Sequence, residues 1–364
     1  MIRLLRALID TAALRHNLGT IRAYAPRAKV MAVIKANAYG HGLVPTALAL
    51  ADADSFAVAR LEEGIVLRSA GVRAPIVLLE GVFNAEQLTE AAHYGFELVV
   101  HDPSQLRLLE AHRGAVRFIV WIKMDTGMNR LGFRPEAFVP ALERLRALAV
   151  PALELRAMTH LARADERQES MTVEQIERFE TTLVAAGLAG AQRLTTSVGN
   201  SAGTLGWPRA HGDWVRPGLA LYGVSPFVGE TAEKHGLKPA MTLETTVLTV
   251  REVKRGETVG YAGAWRAERD SSIAILAAGY GDGLPRHLAN GTPVLIGGAR
   301  YPLVGRVSMD MIAVDVTGAP KIAAGNRAIV WGETLPVEEV AAHAGTIPYE
   351  LLCGVSQRVP LEFK

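Results

Sequence analysis

Hydrophobic and polar positions along the first two-thirds of the chain alternate between two periods. Short, continuous apolar runs recur, each separated from the next by a stretch whose apolar residues fall at helical spacing. The runs cover residues 30–36, 55–59, 75–80, 97–100, 117–124, 154–159, 193–197 and 214–222. Between them, amphipathic stretches such as 85–93, 103–112, 135–147 and 173–186 predict helices. Continuous apolar runs of this length suit strands buried on both faces of a parallel sheet. Eight such units predict an α/β fold built on a (β/α)8 TIM-like barrel.

Beyond about residue 230 the pattern changes to β-branched runs broken by glycine and proline, at 241–254, 272–278, 293–296, 311–316 and 327–331. Only 337–344 carries helical periodicity there. This predicts a mostly β, largely antiparallel C-terminal domain. Residues 2–8 are strand-like and precede the barrel. The expected division is a barrel over residues 9–230 and a β-domain over 231–364, joined by an N-terminal strand within residues 1–8.

Composition narrows the class. At 364 residues the chain exceeds one ordinary domain. Its hydrophobic fraction is 49%, and no apolar run approaches the roughly 18 residues that would argue for a membrane span. The first ten residues hold two arginines but only a brief apolar stretch and no small-residue cleavage site, so a cytoplasmic enzyme is expected. The single cysteine, Cys353, excludes an intramolecular disulfide and a cysteine-cluster metal site. A net charge of +2 without a long basic run leaves no footprint for nucleic acid. His41, His101, His112 and His211 lack metal-ligand spacing, so no metal is expected.

In a barrel of this kind the chemistry lies at the carboxyl ends of the strands. Lys35 ends the first run, His101 and Asp102 follow the fourth, Lys123 and Asp125 close the fifth and His160 the sixth. Asn200 and Ser201 follow the seventh, and Arg216 lies on the eighth. One shared rim is expected for all of them. Lys35 is the most informative, because an apolar strand runs into it and a glycine-rich turn follows. An amine at the edge of an apolar interior is partly desolvated, which favours the neutral nucleophile that forms Schiff bases. A solvated strand-end lysine is the alternative. Ser201-Ala-Gly203 and Arg216-Pro-Gly-Leu219 fall where barrels often bind phosphate, although ordinary turns use the same residues. Gly279-Tyr-Gly-Asp-Gly283 looks like a nucleotide loop, but no long helix follows it and that reading fails its context.

Lys35 to His41, Asp125 to Gly132, His160, Asn200 with Ser201, Arg216 to Leu219, Tyr261, Gly279 to Gly283, Gly305 to Asp310 and Tyr349 stand in the order found in alanine racemases. The chain resembles that family over nearly its whole length. The resemblance implies an isomerase that interconverts L-alanine and D-alanine and supplies D-alanine for peptidoglycan. It implies pyridoxal 5′-phosphate joined to Lys35, with the phosphate held by Ser201, Gly218 and Leu219 and by the hydroxyls of Tyr39 and Tyr349. His160 belongs to the cofactor's surroundings, and Arg216 faces the pyridine nitrogen. A guanidinium there disfavours protonation of the nitrogen, so less electron density enters the ring and little transamination is expected.

Racemisation takes a proton from one face of the substrate and returns it to the other. The resemblance gives Lys35 one face and Tyr261 the other in a two-base scheme. A phenol is a poor base at neutral pH, so nearby positive charge is needed, with His160 and Arg216 as candidates. Tyr261, together with residues matching Tyr280, Met309 and Asp310, is implied to reach the barrel of a second subunit, which makes the enzyme a homodimer with shared active sites. Arg130 and the backbone N–H of Met309 are implied to bind the substrate carboxylate. Lys123 matches a lysine that is carbamylated in some members, a change that would let it orient Arg130. Asn129 stands where the family pattern leads one to expect glycine. The rival readings are a broader-specificity pyridoxal phosphate amino-acid racemase, a same-fold decarboxylase and a non-catalytic pyridoxal carrier. Tyr261 favours racemisation, the β-domain speaks against a carrier, and the bulk of Tyr280 and Tyr349 favours a methyl side chain.

Overall fold

The computed structural model describes residues 4–113, 118–148, 154–319 and 321–364, so residues 2 and 3 of the first strand-like stretch and residue 117 of the fifth barrel run lie outside it. After β1 (Leu5–Ile9), eight parallel strands close a barrel in chain order. They are β2 (Lys29–Val33), β3 (Ser55–Val58), β4 (Ile76–Leu78), β5 (Glu97–Val100), β6 (Ile119–Lys123), β7 (Glu154–Met158), β8 (Thr195–Ser197) and β9 (Trp214–Val215). Pairing of Lys29 and Val30 with Trp214 and Val215 shuts the ring. Every residue of β3, β4 and β5 is buried, as strands covered by helices outside and packed side chains inside must be.

The connecting helices carry the caps that their sequences supply. Asn84 accepts the N–H of Gln87 at 2.8 Å and opens the helix Ala85–His93. Asp102 accepts that of Ser104 at 2.8 Å ahead of Pro103, whose missing N–H costs nothing at the first helical position. The helices Pro135–Arg146 and Met171–Ala185 complete the set expected from periodicity.

Two of the strands are shorter than expected. β2 stops at Val33, because Ala36, Asn37, Ala38 and Tyr39 all take left-handed backbone angles, φ 52 to 53°. β9 keeps two residues, because the chain turns at Pro217 and Gly218 into a 3-10 turn, Leu219–Tyr222. Arg216 therefore sits just past its strand.

The amino-terminal end of the barrel is plugged. Trp121 donates from its indole N–H to Glu97 at 2.7 Å, and Arg156 lies 3.1 Å from the same carboxylate with its guanidinium 5.1 Å above the Trp121 ring. Open space is thereby left to the opposite rim.

The C-terminal domain is built on β10 (Met241–Val253), followed by the small ribbon β11 (Thr258–Val259) and β12 (Trp265–Arg266), then β13 (Ser271–Leu276), β14 (Pro293–Ile296), β15 (Ala299–Val304), β16 (Ile312–Asp315), β17 (Arg327–Trp331) and β18 (Leu361–Phe363). The large sheet runs β13-β16-β15-β14-β17-β10-β1-β18. β1 pairs antiparallel with β10 and parallel with β18, so the start of the chain lies in the sheet made by its end. The helix Val337–His343 was expected; Pro348–Gly354 was not, since seven residues beginning at a proline show little periodicity. Among the described residues no helix is long and apolar enough to cross a membrane.

Candidate active site

A cavity of about 660 Å³ opens at the carboxyl rim of the barrel. Lys35, Tyr39, Lys123, Arg130 and His160 line it, together with Asn200, Ser201, Arg216, Gly218, Leu219 and Tyr349.

Lys35 opens the left-handed turn that ends β2. Left-handed angles cost a residue with a β-carbon roughly 1–2 kcal/mol each, so four in a row need support. The turn closes on itself through the N–H of Gly40 to the carbonyl of Ala36, at 3.2 Å, and of His41 to that of Ala38, at 3.0 Å. Asn37 adds its side-chain oxygen to the N–H of Leu43 at 2.9 Å. His41 is wholly buried, which pushes its imidazole down to about 4, and Nδ1 lies 2.9 Å from the carbonyl of Tyr39. The outcome is that Tyr39 is thrown inward, stacked on Tyr222 with ring centroids 4.8 Å apart and near Tyr349 at 5.8 Å.

Facing Tyr39 is a cradle made from the loops after β8 and β9. Ser201 Oγ accepts the N–H of Gly218 at 2.9 Å and of Ala220 at 3.2 Å, locking the two loops together. Asn200 caps the short helix Ser201–Gly206 by accepting the N–H of Gly203 at 2.9 Å. Ser201 and Leu219 each begin a helical turn, so their N–H groups have no carbonyl of that turn to bind and suit an anion. A β-carbon on Gly218 would overlap the Tyr39 hydroxyl. Burial holds the Tyr39 phenol well above its usual range and pushes that of Tyr349 up to about 12, so both are protonated donors at neutral pH.

Arg216 is buried and donates to Ser197 Oγ at 2.6 Å and to the carbonyls of Thr159 and Val198. Among the described residues no carboxylate pairs with it. Burial pulls it down to about 10, which leaves it charged at neutral pH. His160 Nδ1 lies 3.5 Å from Arg216 Nη2. Burial first, then the charges of Arg216 and Lys123, drive its imidazole far below the usual range. His160 is therefore neutral, which corrects the expectation that it shares with Arg216 the task of supplying positive field.

Lys123 is buried and pushed down to about 7, by desolvation first and then by Arg216, Arg130 and Lys35. Arg130 stands exposed on the loop that follows. That loop is shaped by Asp125, which accepts the N–H groups of Gly127 and Asn129, each at 3.0 Å. Asn129 has φ 57°, a left-handed angle that asparagine tolerates better than most residues.

Not every residue at the carboxyl ends of the strands lines the large cavity. His101 and Asp102 line a smaller neighbouring cavity of about 230 Å³, and Asp125 lines a third beside the helix Met171–Ala185. Tyr261 and Met309 lie in the β-domain, outside the large cavity of their own chain, 64% and 53% exposed. Tyr280 also stays outside it. Cys353, Ile347 and Asp165 do line it, unforeseen from the sequence; the first two arrive with the helix Pro348–Gly354 and the residue before it. The only signals for that helix are Pro348 at its start and the apolar pair Leu351 and Leu352.

Lysine and arginine supply four side chains to the large cavity, Lys35, Lys123, Arg130 and Arg216, against two acids, Glu80 and Asp165. Such a surface suits a ligand with several negative charges. Among the described residues no cluster of histidine, cysteine and carboxylate side chains is arranged to hold a metal ion.

Residues 9–226 match the family model described as alanine racemase, N-terminal domain, and residues 240–363 match that of its C-terminal domain. The chain belongs to the alanine racemase family. The alanine racemase of Nitrosococcus oceani is 50% identical over 355 residues, which cover 98% of each protein. That of Aeromonas hydrophila is 48% identical over 357 residues, again 98% of each. Among solved structures, the biosynthetic alanine racemase from Pseudomonas aeruginosa superposes with a TM-score of 0.95 at 43% identity over the whole of both chains. The alanine racemase from Acinetobacter baumannii does so with a TM-score of 0.93 at 36% identity. Alanine racemases are isomerases that use pyridoxal 5′-phosphate. The side chains present fit that group: an amine, a cradle that a β-carbon on Gly218 would fill, two phenol donors and a fixed guanidinium share one cavity with apolar walls at Val33, Leu79 and Met158.

Proposed function

We propose that this chain interconverts L-alanine and D-alanine with pyridoxal 5′-phosphate bound at the barrel mouth. When bound, pyridoxal phosphate draws electron density from the substrate's α-carbon and so acidifies its α-hydrogen. The remaining work falls to this chain's own groups. The N–H groups of Ser201 and Leu219 take the phosphate at a surface that Gly218 keeps open, and the hydroxyls of Tyr39 and Tyr349 add two donors. Arg216 would hold the ring nitrogen, where its fixed charge would disfavour protonation and so favour return of the proton to the α-carbon. His160 packs beside it as a neutral neighbour.

Lys35 anchors the cofactor and, once released, holds or gives the α-proton at Nζ on one face. Tyr261 Oη from a second copy of the chain serves the other face. Its exposed position outside its own chain's cavity supports this arrangement. Each well-placed acid–base group is worth on the order of 10² to 10⁴ in rate. Arg130 forks onto the substrate carboxylate, assisted by the backbone N–H of Met309 from the second copy. Lys123, about half neutral near pH 7, adds carbon dioxide: an N–C bond forms, a proton leaves, and the resulting carbamate anion orients Arg130. The working enzyme is then a cytoplasmic homodimer whose D-alanine goes to peptidoglycan.

The observation that carries this reading is that Lys35 and Arg216 line one cavity together with the Ser201–Gly218 cradle. The test adds pyridoxal phosphate to the purified protein, fixes it with borohydride and assays alanine, serine and lysine. A pyridoxyl group on Lys35 and turnover of alanine well above the other two are expected, with Lys35→Ala and Tyr261→Phe impaired in both directions. Equal turnover of the three would favour a broad racemase, and release of carbon dioxide would favour a decarboxylase. Either result overturns the proposal.

A further inference from the structure

A run of unfavourable backbone angles persists only where its surroundings over-determine it. The turn 36–39 carries four of them directly after Lys35. At its far end the hydrogen bonds of Asn37 and His41 hold it. At its near end the partner is Glu63, half-buried on the helix Leu61–Ser69. Glu63 Oε1 accepts the N–H of Ala36 at 2.6 Å, while Oε2 accepts those of Ala59 at 2.9 Å and Arg60 at 3.3 Å. One carboxylate thus ties the segment after β2 to the segment after β3.

The Ala36 N–H is not an arbitrary contact. It shares a rigid peptide plane with Cα and the carbonyl carbon of Lys35, so fixing the direction of that N–H fixes ψ of Lys35 and the direction in which its side chain leaves the backbone. Bonds accepted by an ionised carboxylate are shorter and stronger than neutral ones, which suits a group that must hold a strained segment. Glu63 does not line the cavity.

We infer that Glu63 is a positioning residue that aims the Lys35 amine into the cavity through the Ala36 peptide, an inference that rests on the proposed role of Lys35. The rival role is structural: Glu63 also caps the amino end of its own helix through Arg60.

Two measurements separate these roles: hydrogen exchange at residues 36–40 in the cofactor-free protein, and the rate at which added pyridoxal phosphate becomes fixable to Lys35. Glu63→Ala should speed the exchange and slow the fixation about tenfold, the order expected for losing a charged hydrogen bond. Adding Ala36→Gly to Glu63→Ala should bring fixation back to within about threefold of the unsubstituted rate, since glycine enters left-handed angles without a β-carbon penalty. Glu63→Gln, which keeps one acceptor oxygen, should fall between, and it carries the comparison if Glu63→Ala does not fold. Glu62→Ala, one residue away and exposed, should match the unsubstituted protein in both measurements. Unaltered exchange and fixation in Glu63→Ala and Glu63→Gln would overturn the inference, as would slowed fixation that Ala36→Gly fails to restore. If the unsubstituted protein shows no adduct on Lys35, the proposed function falls instead, and the exchange data alone judge whether Glu63 holds the turn.

Discussion

The hydroxyl of Tyr39 occupies the place where Gly218 would carry a β-carbon. One of these residues comes from a left-handed turn after β2 and the other from the loop after β9, so the two ends of the closed barrel meet at the cradle. Gly218→Ala would force Tyr39 aside. Overpacking of this kind costs about 1–3 kcal/mol, or about 5- to 150-fold in affinity. Titration of the cofactor-free protein with pyridoxal phosphate should show that loss. Tyr39→Phe should weaken binding by removing a donor. In combination the two changes should cost less than their sum, because the ring without its hydroxyl leaves room for the new methyl group. Simple additivity would mean that the two residues do not share the site.

Lys123 gives a pH signature. Unmodified in the folded chain it titrates near 7, against 10.5 for an ordinary lysine, so below about pH 7 the fold bears the full cost of a buried ammonium. The unfolded chain binds more protons between about pH 7 and 10.5, and stability therefore rises with pH across that window. In bicarbonate-free buffer, the gap between the melting temperatures of the protein and of Lys123→Met should be widest and constant below about pH 7 and close between about pH 7 and 10.5. If the carbamate forms, bicarbonate should stabilise the unsubstituted protein near pH 8 and leave Lys123→Met unmoved, and labelled bicarbonate should add one carbon NMR signal to the former alone. Identical melting profiles for the two proteins would remove Lys123 from this account.

These two cases mark how far a linear reading reaches. The barrel was legible because buried parallel strands have little choice of residue: 97–100 reads as a strand from its apolar run and is one, buried at every position. The loops at 201–203 and 216–219 could be marked because serine, glycine and arginine at strand ends narrow the options. The turn after Lys35 could not. Ala36, Asn37, Ala38 and Tyr39 include no glycine, and their left-handed angles go with hydrogen bonds accepted by Glu63 and Asn37 and a contact of His41 Nδ1 with the Tyr39 carbonyl that no local pattern announces. Nor could the neutrality of His160, which follows from burial beside Arg216, Lys123, Arg130 and Lys35, all distant in sequence.

Arg216 owes its aim to acceptors that neutralise no charge. Its Nη1 donates to Ser197 Oγ, which in turn donates to the carbonyl of Trp214 at 2.8 Å. Ser197→Ala should leave a buried N–H without a partner, at a cost of about 1–3 kcal/mol. Because the guanidinium stays charged but loses its anchor, kcat for alanine should fall while KM changes little, with a lower melting temperature. If Arg216 meets the ring nitrogen as proposed, Arg216→Glu reverses the charge there, and pyridoxamine phosphate should then accumulate as a side product during turnover, measurable by chromatography. A racemase that keeps its kcat in Ser197→Ala would show that other contacts suffice to hold Arg216.

Tyr261 and Lys35 can be tested for service across two subunits without a structure of the pair. If a site combines Lys35 of one chain with Tyr261 of the other, Lys35→Ala and Tyr261→Phe homodimers should each be nearly inactive. Mixed dimers regain one complete site, because the chain that keeps Lys35 meets the chain that keeps Tyr261; its other site carries both defects. Random exchange at equal amounts makes half the dimers mixed, so about a quarter of the unsubstituted activity should return, as expected of a two-fold symmetric pair. Recovery should follow the time course of subunit exchange and vanish when the chains are cross-linked beforehand. No recovery, with exchange confirmed by mass, would place both bases in a single chain. That outcome would be hard to reconcile with a Tyr261 that lies 64% exposed and outside the cavity that Lys35 lines.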